Sequence, residues 1–497
     1  MFYRGYSPPR DMLHLLLLFI LGLCSVHGYE TQCHNLPLSR SCLCAAKSRG
    51  LELNCDSASP DEVRPWLTSL SESSPSTGLI APPLYLRLKN VRFPDFRLPD
   101  DLLAAGARLV HLVVVNCSLE GVEEWALEPA APDLEFLDLG NNLLERVPSE
   151  ALRSLSHLSS LSLTFNRIET VHGDAFSGLY SLLRLSLFGN RIHTIDQNAF
   201  LGVGGNLTHL NLGDNRLTTF PATALAPLLV LQRLQVHENR IVSGLDEDQL
   251  SGDHLDALEL QSNLLEHLPP RAFSRLKALN SLDLDNNRLQ TLHPDAFEGV
   301  EGSLEWVKLG GNQLTSVPSE ALSRLRRLRQ LDLRSNKIEE IQQEDFKGYG
   351  GALRFIHLQK NRLRTVSPGA LSPLDSLEWL YLQSNLLSTA HIEAFRPVLD
   401  TLQTIDMHEN PFECDCRIAW LQDLVKDEKS KLNMPKETQC AGPPELKGRA
   451  VPYVTRAEMG CPASGGSHPL SLPFIFLLTC LLVHVKSVRA VLLYIIT

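Results

Sequence analysis

The pattern LxxLxLxxNxL begins at Leu134, Leu158, Leu182, Leu207, Leu231, Leu255, Leu279, Leu304, Leu328, Leu353, Leu377 and Leu402, at a period of 24 or 25 residues throughout. Its polar slot holds Asn142, Asn166, Asn190, Asn215, Asn239, Asn263, Asn287, Asn312, Asn336, Asn361, Asn385 and Asn410. One period earlier, from Leu109, the slot holds Cys117, and a degenerate copy surrounds Leu86 and Leu88. A fixed period of this length means that each unit is one supersecondary coil. No such coil can bury its apolar face alone, so neighbours must stack into a continuous core.

The LxL core alternates inward and outward with period two and reads as a short strand with its leucines inside. Further apolar pairs, such as Ala175–Phe176 and Ala296–Phe297, close the back of each coil. The asparagines fall where the chain turns inside the stack. There each amide can donate to carbonyls of adjacent coils and accept from their amides, which is what buried backbone groups require. The fold class expected is an α/β solenoid, a horseshoe whose strands form a parallel sheet on the concave side. Nothing in the chain remains to cover that face, so its outward side chains meet solvent or a partner.

A solenoid exposes a raw coil and an open sheet edge at each end, so caps are needed. Of the 11 cysteines, Cys33, Cys42, Cys44 and Cys55 precede the repeats and Cys414, Cys416, Cys440 and Cys461 follow them. Cys24 and Cys480 fall in the two terminal segments. Zinc knuckles use paired CxxC or CxxH, and the CxC spacing here fails that test twice, so disulfides in an oxidising compartment are the better reading.

On these residues the chain resembles the extracellular, cysteine-capped leucine-rich-repeat family over nearly all of residues 30–461. Residues 33–55 look like its N-terminal cap, and NPFECDCRIAWL through Cys461 like its C-terminal cap. The resemblance implies the pairs Cys33–Cys44, Cys42–Cys55, Cys414–Cys440 and Cys416–Cys461. The N-terminal cap is looser than the family pattern, with eight residues between its first two cysteines. The implied organisation is a cap over 29–60, some 13–14 leucine-rich repeats over 84–412 and a second cap over 408–461.

Residues 1–28 read as a secretory signal: Arg4 and Arg10 precede the short apolar run Met12–Cys24, and Val26 and Gly28 suit cleavage before Tyr29. A membrane anchor there would need a longer run. Residues 462–497 carry small residues from Ala463 to Ser467, then an apolar FIFLLTCLLVHV, the pattern of a glycosylphosphatidylinositol signal with Ser464 or Gly465 as attachment residue. The spacer is short, and Lys486 and Arg489 interrupt the tail. A membrane span over Leu470–Val485, 16 residues long, and plain secretion stay open. Two N-glycosylation sequons occur, Asn116-Cys-Ser and Asn206-Leu-Thr. Asn206 lies just before a strand on an exposed edge and is the better acceptor, whereas the cysteine after Asn116 points toward the core.

The net charge of −11 disfavours non-specific binding to nucleic acid. No P-loop, GxSxG or HExxH is present, and no catalytic residues, metal site or cofactor is expected. The GVGGN stretch at 202–206 is a loop between repeats. His209, His237, His357 and His408 occupy concave positions in different coils and read as solvated surface, against a metal or pH-sensing role; the acids Asp283, Asp285 and Asp332 could form a cation patch but read better as a solvated polar strand face. The aromatic residues are more informative. Trp306, Phe355, Trp379 and Tyr381 fall on the concave face with Lys308, Arg334 and His357 among them, and large aromatics of this kind dominate interface hot spots. This patch is expected to dock an unidentified protein ligand, and homophilic binding is possible.

The function expected is cell-surface recognition or adhesion, as for lipid-anchored members of the family of the insect connectin and chaoptin kind. The alternative is a secreted partner subunit that stabilises or carries an enzyme, because the repeat half also resembles the non-catalytic subunit of shrimp luciferin monooxygenase. Direct signalling would need a cytoplasmic domain, and about a dozen residues follow any span.

Overall fold

The structure, a computed structural model of the chain, describes residues 33, 40–72, 82–103, 107–246, 252–426 and 430–462. The signal reading of 1–28 and the tail with Ser464 and Gly465 lie outside the described residues.

A 17-stranded sheet runs the length of the described chain. It starts with an antiparallel hairpin, Cys42–Lys47 against Gly50–Asp56. From there the pairing is parallel, through Leu84–Lys89 and Leu109–Val115 and then one three-residue strand per coil from Phe136–Asp138 to Thr404–Asp406. The register advances by one period per strand, so Leu137, Leu161, Leu185 and Leu210 pair in line and are at most 2% exposed. Each strand is short because the motif supplies only one inward leucine between two outward positions before the chain must turn.

That turn explains the asparagines. Asn287 is 5% exposed, and its Nδ2 donates to the carbonyls of Leu260 one coil back and Leu284 in its own coil, both at 3.1 Å. Its Oδ1 accepts the Leu265 amide at 3.1 Å. The same triad recurs at Asn190, Asn336 and Asn385, among others. To aim the amide inward, the residue before each asparagine takes a left-handed backbone, as at Asn141 (φ 53°), Phe165 (52°) and Asp214 (49°). At Gly311, in the same position, a Cβ would lie 2.1 Å from Asn286 Oδ1, so a larger residue there would need the Asn286 side chain to turn away. Cys117, in the first slot, is also buried, with its Sγ 3.3 Å from the Val115 carbonyl and 3.7 Å from that of Leu88.

The back of the stack is an aromatic spine. Phe176 and Phe200 lie parallel at 5.8 Å, and Phe273 and Phe297 stack at 6.3 Å. Disulfides join Cys33 to Cys44, Cys42 to Cys55, Cys414 to Cys440 and Cys416 to Cys461, the four pairs the resemblance implies. At the C-terminal end, Trp420 packs on Phe395 at 5.2 Å and donates its indole N–H to the Ala390 carbonyl at 2.8 Å. Leu432–Asn433 adds a last strand beside Thr404–Asp406. Both edges of the sheet are thereby occupied by cap segments.

Candidate functional site

The parallel register lays the outward side chains in straight rows across the concave face. The first row runs Phe136, Ser160, Arg184, His209, Arg233, Ala257, Ser281, Trp306, Gln330, Phe355, Trp379 and Thr404. The second includes Asp138, Ser162, Ser186 and Asn211 early on, and Asp283, Lys308, Asp332, His357 and Tyr381 later.

In the C-terminal half, Phe355, His357, Trp379 and Tyr381 form one aromatic cluster. His357 stacks on Tyr381 at 4.7 Å with ring planes 10° apart, Trp379 lies 6.2 Å from Tyr381, and Phe355 lies 6.3 Å from Trp379. All four are half-buried against one another, so they form a continuous apolar surface with one side to solvent. Trp306 does not join them, because the strand of Gln330 separates its strand from that of Phe355.

Lys308 and Arg334 do not stand among these rings as free cations. Lys308 donates to Asp283 at 2.8 Å, and Arg334 bridges Asp332 at 2.6 Å and Asp285 at 2.5 Å. The expectation that Asp283, Asp285 and Asp332 are solvated is corrected: they are 9%, 4% and 1% exposed, with Lys308 and Arg334 paired against them. Burial, then repulsion from Asp283 and Asp332, pushes the Asp285 carboxyl up to about 6 despite Arg334. Burial opposes the Lys308 ammonium most strongly, but its hydrogen bond to Asp283 and the negative charges of Asp283 and Asp285 together outweigh this and its pKa rises. Three of the histidines are likewise less solvated than expected. His237 and His408 side chains are 13% and 16% exposed, and burial lowers the pKa of His357. His408 pairs with Asp406 at 2.6 Å.

The N-terminal half holds rings that the sequence reading passed over. Tyr85, His111 and Phe136 occupy successive strands. Tyr85 lies 5.7 Å from His111, and His111 stacks on Phe136 at 4.0 Å with planes 3° apart. The Arg49 guanidinium lies over the Tyr85 ring, 4.4 Å from its centroid. Farther on, Phe188 meets Phe165 edge-on at 5.3 Å and His237 at 5.7 Å. Counting outward positions from each motif, the arithmetic that found Trp379, also finds Phe136. Arg49 and Tyr85 come from the cap and the degenerate coil, where that arithmetic has no anchor.

Asn206 is exposed, with its amide donated to the Tyr180 carbonyl at 2.5 Å. Asn116 is exposed on a left-handed backbone and donates to Asn90 at 2.5 Å, while Cys117 beside it is 2% exposed. Among the described residues, no group of three or more His, Cys, Asp or Glu is placed to hold a metal ion, and no helix is long and apolar enough to cross a membrane.

Comparison with known proteins agrees with this architecture. A family profile described as Leucine rich repeat matches residues 132–192, 182–241, 253–314, 281–338, 302–352 and 326–387. Vasorin of Xenopus tropicalis is 34% identical over 62 residues, 12% of this chain and 9% of vasorin. Human carboxypeptidase N subunit 2 is 35% identical over 63 residues, 13% of this chain and 11% of that protein. The matches thus span about a tenth of the length of these relatives. The solved structure of a leucine-rich-repeat protein from Leptospira interrogans superposes with a TM-score of 0.59 at 25% identity, covering 73% of this chain and 85% of the other. The motif, the 17-stranded sheet, the asparagine ladder and these matches agree: the chain is a leucine-rich-repeat solenoid with disulfide-bonded ends.

Proposed function

We propose that the chain is a non-catalytic, extracellular protein-binding protein that docks its partner on the C-terminal half of the concave face, as a cell-surface recognition or adhesion molecule. The observation that carries this reading is the contiguous cluster of Phe355, His357, Trp379 and Tyr381, half-buried and facing the concavity. Aromatic anchors already held by their neighbours lose little conformational freedom on binding, which is what makes such residues hot spots. Lys308 and Arg334, held by their ion pairs yet 41% and 44% exposed, flank the patch as fixed cations that a partner could meet.

Four disulfides in the caps favour an oxidising, extracellular setting. The signal reading of 1–28, the lipid attachment at Ser464 or Gly465 and a glycan at Asn206 complete the proposal, with Asn116 left bare because its sequon is bent over a buried cysteine. A second reading has one specific support. The match to carboxypeptidase N subunit 2, by its name a subunit of an enzyme, suits a secreted partner subunit that carries or stabilises an enzyme.

The test is made on cells displaying the full chain. Treatment with phosphatidylinositol-specific phospholipase should release it, and untreated cells should bind the partner or aggregate with one another. Trp379→Ala and Tyr381→Ala together should weaken that binding tenfold or more. Undiminished binding by the double variant would sink the docking site. Accumulation in the medium without treatment, in complex with an enzyme, would favour the second reading.

A further inference from the structure

We propose that the N-terminal half of the concave face holds a separate binding site for a carboxylated sugar ring, the chemistry shared by sialic and uronic acids, between the ring of Phe136 and the guanidinium of Arg184.

The register builds the slot. Phe136, Ser160 and Arg184 occupy the same outward position on three successive strands. His111 and Phe136 lie parallel at 4.0 Å, close to one strand spacing, so their rings stand upright with their faces turned along the axis of the solenoid. The pile Arg49, Tyr85, His111, Phe136 therefore ends in a ring face turned toward Ser160. Serine is too short to cover it. The next side chain in the row is Arg184, two strand spacings or roughly 9.5 Å from Phe136. Two van der Waals contacts of about 3.5–4 Å each need slightly less than that, so the gap admits one ring with contact on both sides.

Polar groups surround the gap. Among the described residues the Arg184 side chain makes no hydrogen bond or ion pair, and neither do the hydroxyls of Ser160 and Ser186. His209 and Arg233 continue the row beyond Arg184, and burial together with Arg184 and Arg233 lowers the His209 pKa. The second row offers Asp138, Ser162 and Asn211. This stretch thus presents an aromatic face, hydroxyl and amide groups with the Asp138 carboxylate at one side, and in Arg184 a cation with no internal acid paired to it.

A sugar acid has the matching parts. Its axial C–H face suits the Phe136 ring, its hydroxyls suit the serines and Asn211, and its carboxylate suits a planar guanidinium. An acidic peptide side chain would satisfy Arg184 but leave the ring and the hydroxyl field unused.

Binding of 3′-sialyllactose and of a hyaluronan tetrasaccharide is measured by calorimetry on the full chain, produced in cells that make only oligomannose glycans. Lactose, a neutral chitin tetrasaccharide and an oligoglutamate peptide are the comparison probes. We expect one of the two carboxylated sugars to bind at least tenfold more tightly than all three, and which one binds identifies the source. Arg184→Gln and Phe136→Ala should each lower that affinity tenfold or more. Ser160→Phe should abolish binding by filling the slot. It should fold normally, because Phe136, Trp306, Phe355 and Trp379 already occupy the same register position in other coils. The Trp379→Ala and Tyr381→Ala variant should bind the sugar as the parent does, which separates this site from the protein-docking patch. Failure of both sugars to bind, equal binding of a neutral sugar or the peptide, or full affinity in Ser160→Phe would each overturn the proposal.

Discussion

The two halves of the concave face are built on the same coils in the same register, yet they treat charge in opposite ways. In the C-terminal half, Lys308 and Arg334 are tied to Asp283, Asp285 and Asp332, and the aromatic rings pack side by side. In the N-terminal half the second-row neighbours of Arg184 and His209 are Ser186 and Asn211, so these basic groups meet no internal acid and the rings end in an uncovered face. A solenoid sums nearly independent units, so a substitution in one row position changes a local surface without disturbing the core beneath. One face can therefore carry a closed aromatic patch and an open, charged one, with seven strand steps from Arg184 to Phe355.

The largest expected effect should not distinguish the halves at all. Asn190→Ala and Asn336→Ala each strand about three buried backbone groups, so each should cost roughly 3 kcal/mol or more, read from urea midpoints. A large inequality would mean that the ladder is not equally important along the array. Arginine deletion should separate the halves. Arg334→Ala leaves two buried carboxylates without their cation and should cost about 2–3 kcal/mol. Arg184→Ala removes an exposed side chain with no partner and should stay within about 0.5 kcal/mol. Equal costs would erase the contrast.

A further effect is in pH. Asp285 holds its proton up to about pH 6 in the folded chain, against roughly 3.9 unfolded. The folded state binds the extra proton between those values. Its stabilising contribution is therefore full below the unfolded value and lost as pH rises through 6. Between pH 5 and 7.5 the urea midpoint of Asp285→Asn should fall less than that of the parent protein. An identical fall in both would show that Asp285 does not titrate in this window.

Much of this molecule is legible in its residues. The period, the inward leucines, the buried asparagines and the need for caps follow from spacing alone, because each is a local consequence of stacking identical coils. The concave rows are also legible, since the outward positions flank each inward leucine. Which neighbours touch is not. Spacing groups Trp306 with Trp379, but an intervening strand keeps it apart from the aromatic cluster. Spacing places Lys308 and Arg334 on the concave face but does not show their ion pairs, with Asp283 and Asp285 from other coils and with Asp332 from the coil of Arg334 itself.

The sequence by itself determined the architecture, because a repeat that satisfies its own core and backbone hydrogen bonds leaves one way to stack. The character of the concave face was decided in three dimensions. Residues 24, 25 or 49 positions apart become nearest neighbours there, and whether a charge is free or paired depends on what the next coils place beside it.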